Sequence, residues 1–142
     1  MRQDVQSLIE QVEAEKEAAR QECRRRLEEG NLLDEDGYPS ESVLWMLEHW
    51  PFDDAQGWLD LAQRAWHFRD LTWTEKMAAD DFEAGKIVKL LHVSAFGWSG
   101  NESLIAAMQA NTMLWGECWV QSRRGGHYIF ELPSAPKSGS GV

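Results

Sequence analysis

KIVKLLHVSAF, residues 86–96, decides the fold class. It is apolar and rich in β-branched side chains, it carries no helix cap, and it reads as a strand. Immediately after it comes GWSGNES (97–103), where glycines surround a serine, and then NESLIAAMQANTM (101–113), whose Leu104, Ile105, Met108 and Met113 return to helical spacing. Further on, LWGECWVQS (114–122) and HYIFEL (127–132) read as two strands joined by the tight turn Arg123-Arg124-Gly125-Gly126. Glycine tolerates the positive φ that such a hairpin needs.

Upstream of residue 86 the pattern is helical. Residues 4–29 contain no Gly or Pro and consist mostly of good helix formers. Val5, Ile9, Val12, Ala19 and Cys23 make one narrow apolar stripe, interrupted by Lys16 and Arg26, which predicts a long solvated helix able to pair with a second copy or to pack along the body. Gly30 and Asn31 supply its C-terminal cap. NLLDEDGYPSES (31–42) is a turn region, with Ser40 or Ser42 as the next N-cap. Helices are expected at 41–49, 54–69 and 74–83, with Trp58, Leu59, Ala62, Ala65 and Trp66 as a core stripe. Helices followed by strand, helix, strand and strand predict an α+β fold in which a small antiparallel sheet of three strands packs against helices. The organisation that follows is a solvated helix over 1–30 serving as a dimerisation element, a globular domain over 31–132, and a disordered tail over 133–142.

Charge and composition narrow the function. A net charge of -10 over 142 residues repels nucleic acid, so direct DNA binding is not expected. The same acidity suits solubility, mimicry of nucleic acid, or a basic protein partner. No apolar run reaches membrane-span length and the N-terminus has no signal-peptide core, which predicts a cytoplasmic protein with no membrane role. Cys23 and Cys118 lack metal-type spacing and read as free thiols. DEDG (34–37) lacks the later ligands of a calcium loop, so neither a metal nor a cofactor is expected.

Two stretches carry site-like chemistry. GWSGN misses the last glycine of a nucleophile elbow, because Asn101 stands in its place. Its backbone is better suited to binding. Gly97, Trp98, Ser99, Gly100 and Asn101 lead from a strand into a helix, where unpaired N–H groups can meet an anion. The alternative is a plain cap and turn, with Ser99 or Asn101 as the capping side chain. Arg123 and Arg124 offer planar forks of donors for phosphate or carboxylate, or else form a solvated hairpin tip. His127 and Tyr128 would add an orienting hydrogen bond, and Trp98 a flat apolar wall for a base-like ring. Both stretches can lie at one end of the sheet. They then predict a pocket for a small anionic, nucleotide-like ligand, with no catalytic residue. The rivals are a protein-binding inhibitor that uses the acidic surface, and a small hydrolase or transferase that uses His127.

GWSGNE (97–102), SRRGGHYIFE (122–131) and, upstream, LLDEDGYP (32–39) and GWLDLAQRAW (57–66) resemble a family of small bacteriophage and prophage proteins of unknown function. The resemblance covers residues 31–132. That family has no agreed catalytic or ligand residues, so it assigns no role to any position. It implies a viral or prophage origin, residence in the bacterial cytoplasm, and accessory work such as counter-defence against a host protein or sequestration of a host immune signal.

Overall fold

The computed structural model describes residues 2–132; the tail 133–142 lies outside the described residues, and with it the expectation of disorder there. The first helix, α1 (Arg2–Glu29), ends where Gly30 turns left-handed at φ 75° and its N–H reaches the Arg26 carbonyl. Helix α2 (Glu41–His49) starts at Ser40, whose hydroxyl accepts from the Val43 N–H at 3.1 Å. Helix α3 (Ala55–Ala65) starts at Asp54, whose carboxylate accepts from the Gly57 N–H.

The helix expected over 54–69 stops early. Trp66 is extended, and its indole donates to Thr72 Oγ1 at 3.0 Å and to the Ser94 carbonyl at 3.2 Å. Phe68 then takes a left-handed backbone at φ 61° before the short turn α4 (Arg69–Thr72). The chain leaves its helix so that a large indole can tie it to the strand ending at Ser94.

Two further expectations are corrected. TEKMAADDFE (74–83) is not a helix: Trp73–Ala79 is strand β1, paired antiparallel with β2 (Ile87–Ser94) from Trp73↔Val93 to Ala79↔Ile87. The first half of LWGECWVQS is not a strand: after α5 (Ser99–Ala110), residues Thr112–Cys118 form helix α6, capped by Asn111, which accepts from the Leu114 N–H. Only β3 (Trp119–Arg123) and β4 (His127–Leu132) make the hairpin. The sheet therefore has four strands, one more than expected, all antiparallel in the order β1-β2-β4-β3.

One face of this sheet meets the helices. Trp73, Leu91, Val93 and Phe130 join a core with Met46 and Leu47 of α2, Trp58 and Leu59 of α3, Leu104 and Met108 of α5, and Leu114 of α6. Trp58 is wholly buried and its indole donates to the Leu47 carbonyl at 3.0 Å, so the ring fills the core without leaving a polar atom unpaired. Because side chains alternate along strands, the intervening residues point to the opposite face.

Candidate functional site

That opposite face is ordered by the strand register. Across the four strands, Thr74 pairs with His92, His92 with Ile129, and Ile129 with Gln121, which makes one row. In the next row Ser94 pairs with His127, and His127 with Arg123. Thr74, Gln121, Arg123 and His127 are exposed, whereas Ile129 is buried between its neighbours. The result is an open concavity of about 380 Å³ whose floor is apolar and whose walls carry hydroxyl, imidazole and guanidinium groups.

The electrostatics of the groove run against those of the chain. Partial burial, followed by the nearby positive charges of Lys76 and Arg123, holds the His92 imidazole below its ordinary titration range. Neither Lys76 nor Arg123 forms an ion pair among the described residues, and Arg123 has only a long contact of 3.5 Å to Gln121 Oε1. Lys76 and Glu131 share the next row, on either side of Leu90. Two unpaired cations thus flank two imidazoles on one face of a strongly acidic protein. Such a cluster can accept an anion without first breaking an internal ion pair.

The residues expected from the sequence divide between this face and the opposite one. Arg123 and His127 line the groove, whereas Tyr128 pairs with core-facing Val93 and its ring packs on the helical side against Trp115 and Phe130. Arg124 sits exposed in the turn beside it. Gly97–Asn101 does come to the same end of the sheet, since the Ala95 N–H bonds the Gly126 carbonyl at 2.9 Å. Its side chains nevertheless serve the helical side. The Trp98 ring stacks with Tyr38, at 5.0 Å, and with His67, at 4.3 Å. Gly100 lies directly under that ring, where a Cβ would come within 2.3 Å of it. Asn101 is wholly buried: it accepts from the His67 N–H at 2.9 Å and donates to the His67 carbonyl at 3.1 Å and the Ala95 carbonyl at 3.4 Å. At the start of α5, the Asn101 and Glu102 N–H groups bond the Trp98 carbonyl. Ser99 is exposed on the first turn, and its carbonyl accepts from Ser103 Oγ.

Sequence reasoning missed Thr74, Lys76 and His92. The first two were hidden by reading their strand as a helix. His92 did carry a signal, because it alternates with Leu91 and Val93 and so must face away from the core. The cysteines have no part in the site. Both are buried, and burial raises the Cys23 thiol to about 11 and the Cys118 thiol to about 12. Among the described residues no group of three or more His, Cys, Asp or Glu side chains is placed to hold a metal ion. No helix of the described residues is long and apolar enough to cross a membrane. The chain matches no protein-family model, no curated protein and no solved structure.

Proposed function

We propose that this chain binds a small anionic ligand, of nucleotide-like size and shape, on the open face of its sheet. Arg123 and Lys76 supply the charge, His92 and His127 the directed N–H donors, and Thr74 and Ser94 hydroxyls for the neutral parts of the ligand. Ile129 gives the apolar floor on which a ring can rest. The observation that carries this reading is the meeting of Arg123 with His92 and His127 around one concavity, with Lys76 in the next row of the same face, in a chain of net charge -10. The Gly97–Asn101 loop is a brace in this account, and Trp98 a structural ring. The role of the protein is then to hold its ligand unchanged, and the phage-like strings suggest sequestration of a nucleotide signal as the biological use.

The test is calorimetric titration of nucleoside monophosphates, diphosphates and cyclic nucleotides into the full chain and its variants. A hydrogen bond to a charged group contributes about 1.5–3 kcal/mol, so Arg123→Ala should weaken binding by roughly ten- to a hundredfold. Its melting temperature should hardly move, because Arg123 is exposed. Affinity that is unchanged in both Arg123→Ala and Lys76→Ala would refute the site.

A further inference from the structure

We propose that the first half of α1 is an arm that docks, reciprocally, into a groove on a second copy of this chain, giving a two-fold dimer. Only the second half of α1 is fastened to its own body. Lys16 and Arg20 both pair with Asp53, Cys23 is buried, and the Arg26 guanidinium lies over the Trp45 ring. Residues 4–15 are exposed throughout. Val5, Leu8, Ile9 and Val12 recur there at helical spacing, and each is about half exposed, from 47% to 60%. This is an amphipathic stripe with nothing of its own chain against it.

The occupant follows from charge and area. The arm contains Asp4, Glu10, Glu13 and Glu15 and no lysine or arginine across residues 4–15. Two arms laid against each other would set acids against acids. Four half-exposed side chains per copy also fall short of the ~1,000 Å² that a specific interface buries. The groove between α1 and the turn at 50–54 has the opposite character. It measures about 240 Å³, and Cys23, Leu27, Trp50 and Pro51 give it apolar walls. Arg20 and Arg24 stand along it, and Arg24 has no ion pair among the described residues. Asp54, the acid at the same groove, is already occupied by the Gly57 N–H and the Trp50 indole. An antiparallel alignment centred on Lys16 sets Val5 opposite Leu27 and Ile9 opposite Cys23 of the other copy, with Leu8 opposite Arg24. Each copy gives one arm and receives one, so the contact closes on itself and its area doubles.

Sedimentation equilibrium of the full chain tests the proposal. The wild type should be a dimer at micromolar concentration and Ile9→Glu a monomer. Arg24→Glu, which sets a further acid beside the acidic arm, should raise the dissociation constant about tenfold or more. Both positions are exposed on α1, so the far-ultraviolet circular dichroism of each variant should match the wild type. A monomeric wild type would overturn the dimer. So would an Arg24→Glu variant as tightly associated as the wild type, since that result means that the arm does not lie in this groove.

Discussion

His92 shows how one residue can be placed by its neighbours for a task the sequence does not name. Burial first, then Lys76 and Arg123, depress its proton affinity in the folded chain. The unfolded chain therefore takes up the proton earlier as the pH falls, and folding stability contributed at this position declines from about pH 6.5 downward. A bound anion reverses the balance, because it compensates the imidazolium and the two cations together. Binding should then be coupled to proton uptake and tighten as the pH drops through the histidine range. Sulfate is the suitable probe, since it does not itself titrate there. Its affinity for the wild type should rise between about pH 8 and pH 5.5, with a much flatter profile in His92→Gln. A flat wild-type profile would remove His92 from the site. Asn101 illustrates the contrary case: its amide is spent on His67 and Ala95, so a residue that looks like a ligand donor acts as a fastener.

At the scale of the element, the loop around Trp98 is a clamp that fixes where the sheet ends. Phe96 and Gly97 both turn with positive φ, at 55° and 67°, to carry the chain from β2 into α5. The Trp98 ring then closes over Gly100 and stacks with Tyr38 and His67. A methyl group at 100 would have to displace the ring, and its stacking contacts oppose that movement. Gly100→Ala should cost about 1–3 kcal/mol in thermal or urea unfolding, as overpacking usually does. Adding Trp98→Ala should recover part of that loss, since the clash disappears with the ring. Equal or additive losses in the double variant would show that the ring is not what restricts position 100. The elements that misled sequence reasoning did so for a shared reason. Glu75, Lys76, Met77, Ala78 and Ala79 favour a helix locally, yet β2 offers them a full ladder of hydrogen bonds, and pairing outweighs a propensity of tenths of a kcal/mol per residue. Leu114, Trp115, Cys118 and Trp119 look like a continuous strand until Asn111 is seen capping the turn before them. By contrast, Lys86–Phe96 was legible because it is apolar, rich in β-branched residues and without a helix cap, and so was the hairpin at Gly125–Gly126, where φ reaches 88° and 79°.

On the scale of the whole molecule, the sheet separates two kinds of chemistry. Its helical side holds the apolar core, the indoles and both buried thiols, while its open side holds unpaired cations and imidazoles within an acidic envelope. The sequence made part of the open side visible, through Arg123 and His127, because those residues cluster along the chain. The rest comes from β1 and β2 and is assembled only by strand pairing, which no local pattern reports. The proposed ligand is therefore expected on the open sheet face and not on the GWSGNE loop. Nuclear magnetic resonance titration of the full chain with adenosine monophosphate tests this most directly. The predicted result is saturable shifts at His92, Ser94, Arg123, His127 and Ile129, with the amides of Gly97–Asn101 little changed. Saturable shifts centred on Gly97–Asn101, with the groove residues silent, would contradict it.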